Sequence, residues 1–241
     1  MTTLESFISL TQSSETEDDL YRALSAYLKT YGIDHFAYFI IAQKLRAMPP
    51  HMGLVTHTYP RDLTKLYLKN NFVEIDPIIQ QCLTESRPFH WNEVAAKRPL
   101  NDKQKQMLKD YEASGLIDGI AVPVFGPMGT IAVFSLATKS TTLDLSDSQL
   151  QTLQFACVQV HNRYFDIAKI GDDAPTKRLS PREQEALALV ADGLASPAIA
   201  ERLGVSENTV DTMLRRIFVK LNVNNRISAV LKAIGLGLIL P

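Results

Sequence analysis

Two stretches of this 241-residue chain set polar side chains at spacings that suit recognition. Over residues 206–221 the apolar residues Val210, Met213, Leu214, Ile217 and Leu221 recur at steps of three and four, leaving Asn208, Asp211, Thr212, Arg215, Arg216 and Lys220 on the other side of a helix. Cations in such a row can meet phosphates or guanine edges, and Asn208 and Thr209, near the helix start, can meet base edges or backbone. Thr209 suits a plain helix start equally well and Lys220 a solvated surface, while Asp211 is an anion on a face otherwise fit for DNA. The second stretch begins at Tyr59, which precedes Pro60, so that Tyr59, Leu63 and Tyr67 fall on one helix face at steps of four. Asp76 precedes Pro77, and Phe89 and Trp91, two apart, point the same way if that segment is extended. Aromatics in a row suit a core as well as a ligand, and an aspartate before proline suits a helix cap as well as a binding carboxylate.

The elements that position these residues are legible from local signals. Ser196 and Pro197 read as an N-cap and first helical residue, with Ala198, Ile199, Ala200 and Leu203 as the buried face; Gly204 and Val205 turn the chain, and Ser206 caps the next helix. This is a helix-turn-helix pattern. Upstream, Leu20, Leu24, Tyr27, Leu28 and Tyr31 mark a helix, and "HFAYFIIAQ", "GIAVPVFGP" and "GTIAVFSLAT" are strand-like, the last two joined through "GPMGT" as a hairpin. Residues 146–170 read as one long helix capped by Ser146, with Leu150, Leu153, Cys157, Val160 and Tyr164 as its apolar stripe. The expected class is α+β: an N-terminal α/β/α sandwich with a mainly antiparallel sheet over residues 1–170, a linker "GDDAPTK" at 171–177, and an all-α four-helix helix-turn-helix domain at 178–241.

Composition narrows the function class. Residues 176–241 carry nine Lys or Arg against six Asp or Glu, a balance of +3, and the preceding residues carry −4, which suits a polyanion-binding module on an acidic body. No apolar run approaches the roughly 20 residues of a membrane span, and the N-terminus lacks a signal pattern, so a soluble, cytoplasmic protein is expected. Cys82 and Cys157 form no metal or disulfide pattern, and the histidines at 35, 51, 57, 90 and 161 have no ligand spacing. With no G-x-S-x-G elbow, H-E-x-x-H or P-loop either, no enzyme and no cofactor is expected.

The segment from Leu179 onward resembles the DNA-binding domain of the LuxR family of bacterial transcription regulators: Glu183, Leu187, Gly193, Ile199, Ala200, Leu203, Ser206, Thr209, Val210, Lys220, Leu221 and Arg226 match its pattern in order. More loosely, Tyr59, Tyr67, Asp76, Trp91 and Gly119 follow the order of that family's acyl-homoserine-lactone sensor domain. The resemblance implies a quorum-sensing regulator that binds an N-acyl-homoserine lactone and double-stranded promoter DNA, acts as a homodimer and works with RNA polymerase. In that role Asp76 accepts from a ligand amide, Tyr59 and Tyr67 donate to carbonyls, Trp91 walls the lactone ring and Gly119 leaves space beside it. Dimer contacts are expected on the helix 146–170 and the last helix, 227–237.

Three positions depart from the family. Leu63 stands where a tryptophan indole is implied to bond the lactone carbonyl, and leucine has no donor; Ser135, His57 and Arg61 are candidates to supply one. Met213 and Arg216 replace a usual histidine and asparagine, so the family's target sequence does not carry over. Leu63 also leaves open an orphan regulator that senses a different small molecule or none.

Overall fold

The computed structural model describes residues 2–42, 53–126, 130–140, 142–169 and 179–239, which gather into two compact units on either side of residue 170. The expected linker, 171–177, and the hairpin tip, 127–129, lie outside the described residues.

In the first unit the chain runs α1 (Leu4–Ser13), α2 (Glu17–Leu28), β1 (His35–Ala42), β2 (Leu54–His57), α3 (Arg61–Lys69), α4 (Pro77–Cys82), β3 (Phe89–His90), α5 (Trp91–Lys97), α6 (Asp102–Ala113), β4 (Asp118–Phe125), β5 (Ile131–Thr138) and α7 (Asp147–Ile167). The sheet order is β2-β1-β5-β4-β3 with every pairing antiparallel. Because side chains alternate across a strand, Phe36 and Tyr38 face one way and Ala37 and Phe39 the other. Tyr38 stacks on Phe134 at 4.4 Å and meets His161 and Tyr164 of α7 edge-on. The Ala37 face packs with residues from α3 to α6. A sheet between two helical layers is the expected α/β/α sandwich.

His161 lies wholly buried under the sheet, its Nδ1 2.6 Å from the Tyr38 hydroxyl. Burial lowers its pKa to about 4, so the imidazole is neutral at neutral pH.

Helix starts follow local chemistry. Thr16, Asp76, Ser146, Ser180 and Ser206 each accept a backbone N–H of the first turn. Three expectations in the first unit need correction. Pro60 is itself the cap of α3, so the helix opens at Arg61 and Tyr59 lies before it. Trp91 opens α5 and is not in an extended segment, because Glu93 bonds back to the His90 N–H and starts the helix there. The long helix ends at Ile167.

The second unit has α8 (Pro181–Ala191), α9 (Ser196–Leu203), α10 (Glu207–Leu221) and α11 (Arg226–Gly235). Leu187, Ile199, Leu203, Val210, Leu214, Ile217 and Leu221 form its core. Gly204 ends α9 at φ +66°, a left-handed conformation that glycine adopts without strain. Ala195, not Ser196, precedes α9; Ser196 is buried at its first position and Ala198 is exposed. The reason is chemical: the Ser196 hydroxyl donates to Asp211 of α10 at 2.8 Å and accepts from Arg226 of α11 at 2.6 Å.

Candidate ligand pocket and DNA-reading helix

Asp76 is the centre of the first site. It is 3% exposed, and its two oxygens have separate partners. Oδ1 accepts from the Ile78 and Ile79 N–H groups at 2.8 and 3.4 Å and caps α4. Oδ2 accepts from the hydroxyls of Tyr67 at 2.9 Å and Tyr111 at 3.3 Å. The cap reading and the binding reading of the sequence are thus compatible, one on each oxygen. Burial pushes the carboxyl pKa up, and the hydrogen bonds from Tyr67, Ile78, Ile79 and Tyr111 offset that only in part.

Around this carboxylate the structure gathers the expected residues. Tyr59, Leu63, Tyr67 and Trp91 are all buried and belong to one apolar cluster. The Tyr59 hydroxyl lies 3.0 Å from both the backbone oxygen and the Oγ of Ser135 on β5. Gly119 sits on β4 beneath Trp91, where a Cβ would overlap the indole ring, so glycine is what admits the tryptophan there. The sheet under this cluster has a floor of small side chains: Ala37, Ser135 and Ala121 are cross-strand neighbours on β1, β5 and β4, and Ala137 pairs with Gly119 in the next row.

A cavity of about 20 Å³ lies between Ala37 and Phe39 of β1, Leu54 and His57 of β2, and Leu63, Tyr67 and Tyr111 of the helices. That is about the room of one water. His57 faces Thr64, its Nδ1 3.2 Å from the threonine hydroxyl.

Sequence reasoning missed Tyr111. Its ring contacts both Trp91, at a centroid distance of 5.3 Å, and Tyr67, at 6.5 Å. The signal was present: Gln104, Met107 and Tyr111 are the buried residues of the otherwise polar α6, at steps of three and four. Arg61, named as a possible donor, is exposed at the start of α3.

In the second unit Asn208, Thr212, Arg215 and Arg216 lie exposed on α10, and Val219 extends that surface at 75% exposure. The Thr209 hydroxyl pairs with Ser206 at 2.8 Å, and the Thr212 hydroxyl bonds the Asn208 carbonyl. Lys220 turns inward, its ammonium 2.6 Å from Glu183 of α8, whose side chain is 6% exposed. Burial would raise the Glu183 pKa, but Lys220 and Ser180 outweigh that and hold it low. Asp211 is half-exposed and tied to Ser196, with Arg226 at 3.9 Å, which accounts for an anion on this helix: it joins α10 to α9 and α11.

These arrangements have counterparts. Residues 16–164 match the family model "Autoinducer binding domain", and residues 177–233 match "Bacterial regulatory proteins, luxR family". The chain is 31% identical over 231 residues to the transcriptional activator protein AnoR of Acinetobacter nosocomialis, covering 93% of this chain and 94% of that protein. With the activator VanR of Vibrio anguillarum it shares 30% identity over 95% of both chains. In fold it resembles a crystal structure of Escherichia coli SdiA, with a TM-score of 0.71, 21% identity, and coverage of 99% of this chain and 98% of that one. A structure of SdiA in complex with octanoyl-rac-glycerol gives a TM-score of 0.72 at 20% identity, covering 96% of this chain and 93% of that one. The two family models cover the sheet-and-helix unit and the four-helix unit in turn, and the chain belongs to the LuxR family of autoinducer-binding bacterial transcription regulators.

Proposed function

We propose that this regulator senses an N-acyl-homoserine lactone and binds double-stranded promoter DNA as a homodimer, in the cytoplasm where the DNA is. The observation that carries the ligand reading is Asp76. Among the described residues its hydrogen bonds all come from neutral donors, so it suits an uncharged guest with an amide N–H, such as an acyl amide. Tyr59, Leu63, Tyr67, Trp91, Gly119 and Ser135 complete the proposed ligand set. A drug-sized guest fills roughly 300 Å³ or more, so binding must part the side chains around the small cavity. For DNA we propose Asn208, Thr209, Thr212, Arg215 and Arg216 as the reading set, with Lys220 adding charge beside its bond to Glu183.

One short helix reads too few base pairs for specificity, which favours paired half-sites and a dimer. A surface groove of about 440 Å³ beside α11, lined in part by Val190, Leu194, Ile227 and Leu231, supports a dimer contact there; Phe155, 45% exposed on α7, supports a second. RNA polymerase is the proposed partner at the promoter, in keeping with relatives that are activators. We assign residues 1–170 to the sensor domain, 171–177 to a linker and 178–241 to the DNA-binding domain.

Thermal melting with a panel of lactones tests this reading. One member is expected to raise the melting temperature, since a ligand at 100 times its Kd adds about 2.7 kcal/mol to the folded state. No shift with any lactone, alongside normal binding to paired half-sites, would instead favour the second reading: an orphan regulator with a different small molecule or none. Leu63, an apolar side chain in the cavity wall with no donor to offer, is the observation behind that alternative.

A further inference from the structure

We infer that the indole N–H of Trp91 donates a hydrogen bond to the carbonyl oxygen of the ligand's ring, the task that Leu63 cannot perform. This rests on the lactone reading above. Buried polar atoms are nearly always paired, and an unpaired one calls for an explanation. Trp91 Nε1 is buried without a partner among the described residues. The residue as a whole is 8% exposed, so bulk water is not its partner.

Two further observations tie this donor to the ligand site. Nε1 is covalently attached to Cε2, one of the ring atoms that lies over Gly119, so the room left by the absent Cβ seats the indole against β4 and fixes where its N–H stands. The indole also contacts Tyr111, which reaches both the cavity and Asp76 Oδ2. One tyrosine thus touches both the ring that carries the donor and the carboxylate that is the acceptor. That pattern suits a head group carrying one N–H and one carbonyl, the N–H going to Asp76 and the carbonyl to Trp91. At 3.3 Å against 2.9 Å, Tyr111 makes the longer of the two bonds to Oδ2 and is the one the ligand N–H replaces.

The chain has one tryptophan, so its indole can be read directly. Matched probes are N-octanoyl- and N-dodecanoyl-homoserine lactone and the cyclopentylamides of the same acids, which keep the amide and lack the ring carbonyl. Wild-type protein is expected to prefer each lactone over its cyclopentylamide by about 5- to 100-fold in Kd, the range for leaving a buried donor unpaired. Trp91→Phe is expected to bind lactone and cyclopentylamide alike. In nitrogen-15 spectra of wild type, the single indole N–H resonance is expected to move downfield with lactone and not with cyclopentylamide, a readout independent of whether the variant folds. Preference retained in Trp91→Phe, or an indole resonance that responds equally to both probes, overturns this assignment and leaves the lactone reading standing. Absence of any lactone binding to wild type overturns the lactone reading and this assignment with it.

Discussion

Among the described residues each unit has one buried carboxylate, Asp76 and Glu183, and the two are held by opposite means. In the first, Asp76 is bonded by phenols and backbone amides and His161 by the phenol of Tyr38, all neutral partners. In the second, Glu183 is bonded by an ammonium, and Asp211 lies in a chain that runs through Ser196 to a guanidinium. At Asp76 burial raises the pKa and the neutral donors offset it only in part, with no partner charge stranded if one donor is exchanged for another. Glu183, held by the partly buried ammonium of Lys220, is a lock, since removing the lysine strands a buried charge. The first arrangement suits the proposed exchange of hydrogen bonds with an uncharged guest, and the second suits a unit that keeps its shape.

The sharpest way to break this contrast is Asp76→Asn. Asparagine keeps an acceptor for the Ile78 and Ile79 amides but turns a donor toward the ligand N–H. Lactone affinity is expected to fall at least about 100-fold, about 3 kcal/mol, with the unliganded melting temperature held or raised because a buried charge is gone. Lactone affinity left at the wild-type value in this variant would make Asp76 a cap and nothing more. Next in size, Lys220→Met should destabilise the second unit by about 2.5 kcal/mol, a partly exposed lysine lessening the full effect of a stranded buried charge. Urea unfolding reads this, and adding Glu183→Gln, which keeps the bond to Ser180, should recover most of the loss.

Acid separates the units further. The His161 imidazole is neutral in both states above pH 6.5; from there down to about 4 the unfolded chain takes up a proton that the folded one refuses. Stability of the first unit should thus drop by about 2 kcal/mol from pH 7 to pH 5. Melts followed by Trp91 fluorescence would show it, and His161→Gln should flatten the slope. Asp76 works in the other sense, its raised pKa giving back stability as pH falls toward the unfolded value of 3.8. The Glu183 lock holds above its ordinary value of 4.5 and is lost only as pH falls through its lowered pKa. The smallest effect is expected from Ser196→Ala, about 1 kcal/mol of stability with base preference in selected DNA sites unchanged. A changed preference would put Asp211 on the DNA.

What the sequence made legible was whatever is encoded within a few residues. The caps at Asp76, Ser146 and Ser206 and the apolar steps along α10 could be read because a cap and its first turn are neighbours in the chain. The three long strands stood out as β-rich runs. The short strands β2 and β3 did not, since four and two residues carry no periodicity to count. Pairings between distant positions were hidden for the same reason. Nothing near Asp211 points to Ser196, 15 residues away, or near Lys220 to Glu183, 37 away. The pocket residues were legible through a family resemblance, and Tyr111 escaped because that resemblance gave it no role.

Under the proposed lactone reading, the floor of Ala37, Ser135 and Ala121 is a separate place at which guest size can be adjusted. The tyrosines and Asp76 make bonds that depend on chemical class, and Ser135 Oγ is engaged by Tyr59, whereas Ala37 and Ala121 offer only volume. Enlarging Ala121 to valine would shorten the longest chain accommodated, and reducing a neighbouring bulky residue would lengthen it, with every hydrogen bond left as it was. On that reading the signal heard can change by the volume of the two methyl groups that separate alanine from valine, with Asp76 untouched.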